Sequence, residues 1–384
     1  MSEEGKNPSS GDLELEAKGS PEEGQDHRLE RYAKAKKRST VIADYIIKNH
    51  PELKGVGHGV RECGQFLIYR HFFNIGLYRM IGGCTCRRHL LCMLCAIRRA
   101  AKQLQAYLEK VEHLKSGDPS LKLGLITLTV KNGDDLAERY EHLKRGLQRL
   151  TNRRKFQLNN IRTIKTVMSM VKGAVWTYEA TKKDKGWHPH IHMLAIFEDG
   201  VDLGDMQEEI PGSWRKTRTG AFEKGLCSEW QQITGDSFIV DVRPITAGKD
   251  MLGAFCEVFK YALKVNGMAV ADQIEAYKKL KGRRLISSVG SLYGVKVPPE
   301  DRDTIEGELE LEPYVDLLYK YSEIHGYQLD NQIKPKDILS KIIGRKFILG
   351  QRASMERQAR EVFDLISAPG QFEEYNNPGG RDNG

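Results

Sequence analysis

Three of the chain's eleven histidines fall within five residues, at His188, His190 and His192 of "GWHPHIHMLAIF". The apolar run that follows reads as a strand, and side chains two apart on a strand share a face. The imidazoles would therefore form one row, which is the geometry of a metal site. The preceding strand "GAVWTYEAT" is joined to this one by the charged turn "KKDKGW", and antiparallel pairing across it would bring Glu179 near the row. Two imidazoles (His190 and His192) and one carboxylate (Glu179) make a mixed N/O set with open positions for an oxyanion, suited to Mn²⁺ or Mg²⁺ as well as Zn²⁺. The continuation "HIHMLA" lacks the Asp-His pair that would recruit a second metal in a zinc hydrolase.

A second group lies in "CEVFKYALK", where Glu257, Tyr261 and Lys264 stand at i, i+4 and i+7 and so stack along one side of a helix. Beside a metal that polarises a phosphodiester, a tyrosine hydroxyl can attack phosphorus and a carboxylate can later activate water. The third group is sulfur. Five of the seven cysteines (Cys63, Cys84, Cys86, Cys92 and Cys95) lie in one short region. In a reducing compartment this pattern points to structural zinc rather than disulfides. The primary set is Cys63, Cys86, Cys92 and Cys95, with Cys84 and His89 as alternates. "GAFEKGLC" has the glycine spacing of a phosphate loop but Leu-Cys where Lys-Ser/Thr is required, so no nucleotide-driven role is expected.

Charge supplies the class of partner. The net charge is +8, but residues 1–27 hold eight acids against two lysines, so the remaining chain carries +14. A body this basic favours a polyanion. No apolar run approaches the ~18 residues of a bilayer span, and the acidic N-terminus lacks the layout of a signal peptide. A cytoplasmic protein without a membrane partner is expected.

The elements that must position these groups follow from periodicity. Residues 1–27 read as a disordered acidic tail. Residues 28–115 read as basic helices and a cysteine-rich, zinc-binding module; the helices near Ala33–Arg38 and Arg98–Lys110 are candidates for contact with duplex or hairpin DNA. Residues 116–297 hold the strands "LKLGLITLTV", "GAVWTYEAT", "HPHIHMLAIF" and "SFIVDVRPI", with a flexible connection after Phe197. Helices are expected after Asp134-Asp135, over "FEKGLCSEWQQIT" and over "DMLGAFCEVFKYALK". "LELEPYVDLLYKYSEIHG" and "SMERQAREVFDLI" place a helical region at 298–368, and 369–384 is a flexible tail. The irregular order of strands and helices favours α+β with a central antiparallel sheet.

"HIH" upstream of Glu-x3-Tyr-x2-Lys resembles the HUH endonucleases, specifically the rolling-circle replication initiators of small plasmids in the Rep_1 class. "LITLTV", the Glu of "YEAT", "RRLISSVGSLYGV" and the cysteine-rich stretch before "AIRRA" extend the likeness over roughly Cys63 to Val297. The resemblance implies an HUH-type sheet with flanking helices and a divalent cation held by His190, His192 and Glu179. It implies that Tyr261 attacks the scissile phosphate to give a 5′-phosphotyrosyl bond, that Glu257 activates water at termination, and that Lys264 contacts phosphate. Its partners would be plasmid origin DNA, single-stranded and as hairpin or duplex, with a host helicase and polymerase. Rival readings are an HUH transposase or mobilisation relaxase, a zinc-containing DNA-binding protein without catalysis, and a small-molecule metallohydrolase.

Overall fold

The computed structural model describes residues 25–330 except 160–164, 211–212, 247–248, 260–267, 304, 306–308 and 310–311. In chain order the elements are α1 (Gln25–Asn49), α2 (Lys54–Glu62), β1 (Phe66–Phe72), β2 (Leu77–Gly83), α3 (Met93–Gly117), β3 (Lys122–Thr129) and α4 (Leu136–Leu158). There follow β4 (Val171–Lys183), β5 (Gly186–Phe197), β6 (Gly204–Ile210), β7 (Ser213–Thr219), α5 (Ala221–Thr234), β8 (Val240–Ile245) and α6 (Lys249–Phe259). The last are α7 (Val270–Leu280), β9 (Ile286–Gly290), β10 (Val315–Ser322) and β11 (Gly326–Leu329). The fold is α+β with antiparallel sheets.

Two compact units are present. The first comprises residues 96–298 with 89–91 and is built on a five-stranded sheet of order β8-β3-β5-β4-β9, which puts the histidine strand β5 at the centre. Every neighbouring pair is antiparallel. Almost every residue of β5 is buried, as expected of a strand covered on both faces. On one face Leu123, Leu125, Val175, Leu194 and Ile196 pack with Ala100, Leu104 and Tyr107 of α3 and Leu252, Phe255 and Phe259 of α6. Each such side chain removed from water is worth about 1.5–3 kcal/mol. Strand alternation puts His190 and His192 on this same face, at the end beyond the apolar rows. The other face carries α4 and α5: Tyr140 meets Tyr178, and the Trp230 indole donates to the Thr129 carbonyl at 2.7 Å. Helix α4 begins where Asp135 caps it, its carboxylate accepting from the Ala137 amide at 2.8 Å. A two-stranded ribbon, β6 with β7, occupies the stretch expected to be a flexible connection.

The second unit groups residues 25–88 and 92–95 with those from 299 onward. Its sheet has the order β11-β10-β1-β2. The helical reading of "LELEPYVDLLYKYSEIHG" is corrected here, because Val315–Ser322 is a strand paired along its length with β1. Val, Leu and Tyr alternate there with polar residues at period two, and the turn at Gly326 (φ 70°) reverses the chain. The grouping also differs from sequence order: α3 from Ala96 belongs with the histidine sheet, and the chain after Pro299 belongs with the cysteines. "SMERQAREVFDLI", both terminal tails beyond 25–330, Tyr261 and Lys264 lie outside the described residues. The basic helices are less open than their composition implies, since Lys36, Arg98 and Lys102 are buried.

The β4–β5 turn depends on Gly186, whose φ of 86° lies in the left-handed region. A Cβ there would stand 2.6 Å from the Gly133 carbonyl oxygen, a backbone atom held by mutual hydrogen bonds with Trp187 of 3.1 and 2.7 Å. Gly186→Ala is therefore expected to destabilise the first unit by about 1–3 kcal/mol, read as a lowered Tm, with weakened divalent-metal binding because the hairpin sets the histidine register.

Candidate metal centres

The register of β4 with β5 places Glu179 directly opposite His190, and Thr177 opposite His192. The Glu179 carboxylate reaches both rings: its Oε2 is 3.3 Å from His190 Nε2 and 3.2 Å from His192 Nε2. All three side chains are buried. Burial penalises the carboxylate's charge, yet hydrogen bonding and charge from His190 and His192 outweigh it and hold Glu179 well below the usual carboxylate range. One oxygen and two imidazole nitrogens lie within 4.8 Å of one another. That donor set suits a divalent cation with open positions.

The far ring nitrogens are also engaged. His192 Nδ1 lies 3.3 Å from the Thr127 hydroxyl on β3, and His190 Nδ1 lies 3.3 Å from the His188 carbonyl. Contacts at Nδ1 set the tautomer that leaves Nε2 free to ligate. His188 itself is outside the cluster: its Nδ1 is 2.6 Å from the Asn132 side-chain oxygen, and its ring stacks on His190. Helix α6 brings Glu257 to the same place, its Oε1 being 3.5 Å from His192 Nε2. The Thr177 hydroxyl donates to the carbonyl of Val258, the next residue along that helix. Thus β4 supplies Glu179 and, two residues earlier, the tie that holds Glu257 over the histidines.

The second centre is all sulfur. Cys63, Cys86, Cys92 and Cys95 converge, with Sγ separations of 3.5 Å for Cys63–Cys95, 3.5 Å for Cys63–Cys92 and 3.8 Å for Cys86–Cys95. These are too long for disulfides and close to the edge of about 3.8 Å of a tetrahedron with about 2.3 Å metal–sulfur bonds. Hydrogen bonds from Cys63, Cys86 and Cys95 pull Cys92 well below the thiol range, so the group already favours a thiolate. Cys84 and His89 are not in the cluster. Burial pushes the Cys84 thiol up to about 12, and His89 Nδ1 lies 3.3 Å from Arg99. Lys36 is buried near the cysteines and donates to the Arg61 carbonyl.

Residues 78–201 match the family model Rep_1, replication protein. The matched span holds Cys84 to Cys95 together with Glu179, His190 and His192. The chain is a Rep_1-like replication protein. It is similar to a "Protein rep" of Lactiplantibacillus plantarum, 26% identical over 266 residues, covering 66% of this chain and 77% of the relative. It is also similar to a "Protein rep" of Streptococcus pneumoniae serotype 2, 27% identical over 214 residues, covering 53% of this chain and 55% of the relative. The chain thus spans about three quarters of one relative's length and just over half of the other's. No solved structure matches this Rep_1-like chain.

Thr127 and Thr177 escaped the sequence reading, although alternation carries the signal. In "LITLTV" and "WTYE" each threonine falls on a face otherwise apolar or metal-binding, and a lone hydroxyl there needs a partner. Thr127→Val should weaken Mn²⁺ binding about 10–100-fold by titration calorimetry, while Thr127→Ser should bind as wild type. Equal affinity in the valine variant would show that the hydroxyl does not orient His192.

Proposed function

We propose that this protein initiates rolling-circle replication of a plasmid by nicking one strand of origin DNA at the Glu179–His190–His192 site. The observation that carries the reading is the convergence of this carboxylate and two imidazoles beneath the helix that bears Glu257, in a chain whose Rep_1 segment spans all three ligands. A divalent cation bound there, Mn²⁺ or Mg²⁺, would supply positive charge at the scissile phosphate.

The chain's own residues do the rest. His190 and His192 present Nε2 to the site because their Nδ1 atoms are engaged, and Glu179 stays ionised between them. Tyr261, one turn beyond Glu257 in the sequence, would be the nucleophile: an Oη–P bond forms as the P–O3′ bond breaks, leaving a 5′-phosphotyrosine and a 3′-OH for extension. Glu257 would take a proton from water at termination, so that one tyrosine suffices. Lys264 would contact the phosphate. The Cys63, Cys86, Cys92 and Cys95 set would hold a structural Zn²⁺ that organises the second unit.

Tyr261→Phe keeps the ring and removes the attacking oxygen, so no SDS-resistant DNA adduct should form with Mn²⁺ on a labelled single strand. Glu257→Gln should still form the adduct but release it about 10²–10⁴-fold more slowly. A denaturing gel separates the two outcomes. Adduct formation by Tyr261→Phe would move the nucleophile elsewhere, and prompt release by Glu257→Gln would remove the water-activating role.

Cys92→Ser is expected to lose about one equivalent of zinc by elemental analysis and to lower the Tm of the second unit. Unchanged zinc content would contradict the tetrathiolate assignment.

A further inference from the structure

The segment Ser237–Phe238–Ile239 enters β8 at the edge of the histidine sheet, and its backbone is held with unusual thoroughness. Three successive carbonyls each accept from a different side chain. The Thr234 hydroxyl donates to Ser237 O at 3.0 Å, the Cys227 thiol to Phe238 O at 2.6 Å, and the Thr129 hydroxyl to Ile239 O at 3.2 Å. Ser237 is buried, and its Oγ accepts from the Ile239 amide at 3.4 Å. Yet the two side chains so fixed point outward, with Phe238 61% and Ile239 60% exposed. Large apolar side chains held rigidly in water gain nothing for folding. Preorganised exposure of this kind is what a binding surface requires.

The register says what lies beside it. Leu128 pairs with Val240, so Ile239 continues opposite Thr129, which pairs with His190, which pairs with Glu179. Directly paired residues share a face, so Ile239, Thr129, His190 and Glu179 form one row across four strands. With strands about 4.8 Å apart, Ile239 stands about 10 Å from the metal ligands on their own side of the sheet. Two side chains are far too little apolar area for a stable protein interface, which needs about 1,000 Å² or more. They are enough for a nucleobase, because stacking on one aromatic or apolar side chain is a complete and sequence-tolerant contact.

We propose that Phe238 and Ile239 form a stacking platform for bases of the single DNA strand crossing this face, next to the nucleotide whose phosphate meets Glu179, His190 and His192. This rests on the reading of that site as a DNA-nicking centre. The platform grips a base while the site engages the phosphate, which fixes the strand's position along the sheet without reading its sequence.

The test is binding of the full chain to a short fluorescein-labelled single strand of mixed sequence, by anisotropy in EDTA, so that no cleavage intervenes. Phe238→Ala and Ile239→Ala should each weaken binding roughly 5- to 100-fold, the range for loss of one stacked base. Phe238→Trp should restore it. The slope of affinity against salt should not change, because no phosphate contact is lost, and Tm should be that of wild type because both side chains are exposed. Wild-type affinity in both alanine variants overturns the platform, as does a loss that Phe238→Trp fails to restore. Adduct formation by the wild-type protein with Mn²⁺ is scored separately. Weakened binding in the variants without any wild-type adduct supports the platform and removes the nicking reading; a wild-type adduct with unweakened variants removes the platform alone.

Discussion

The first unit is organised around a buried carboxylate that cannot stand alone. Glu179 sits inside the sheet face with its charge largely removed from water, a position tolerable only with compensating partners. His190 and His192 are those partners, and antiparallel pairing delivers them: the residue opposite Glu179 is His190, and His192 is its diagonal neighbour. A slip of one residue would turn every histidine to the opposite face and leave the carboxylate buried among apolar side chains. The register is therefore under strong selection by energy, and the two-residue turn closed by Gly186 enforces it.

From that row the surroundings follow outward along the sheet. Toward one end of the same face, the leucines and valines of β3, β4 and β5 seat α3 and α6, which fixes the helix carrying Glu257. Thr177 then couples strand to helix by a hydrogen bond between buried groups, so that Glu257 approaches His192 along a defined line rather than by side-chain flexibility alone. Toward the sheet edge, Thr129 joins His190 to the anchored Ser237–Ile239 segment. Three threonines, Thr127, Thr129 and Thr177, thus transmit the geometry of the ligands to β3, β8 and α6.

The two units hold donor sets of opposite chemistry. The carboxylate and imidazoles are hard to intermediate donors and leave coordination positions open, which is the requirement for acting on a bound oxyanion. The four thiols form a closed tetrahedral set with no such opening, which is the requirement for holding a fold together. Small sheets with limited cores gain most from such a staple. The second unit fits that description, with one sheet of four short strands.

Much of the site was legible in one dimension because its chemistry is local. H-x-H on a strand, a carboxylate across a short turn, and cysteines clustered over a few dozen residues all depend on period two or on sequence proximity, and these survive projection onto a string. The strands β3, β4, β5 and β8 were legible for the same reason. What only the tertiary structure decided involves partners distant in sequence. The strand at Val315–Ser322 looks helical by composition, but pairing with β1, far away in the chain, supplies the hydrogen bonds that settle its conformation. Burial of Lys36, Arg98 and Lys102, the choice of Cys63 over Cys84 and His89 as fourth ligand, and the tie from Thr177 to Val258 are likewise set by packing. Residue type and spacing state which atoms can do chemistry; only the fold states which of them are desolvated together and held at bonding distance.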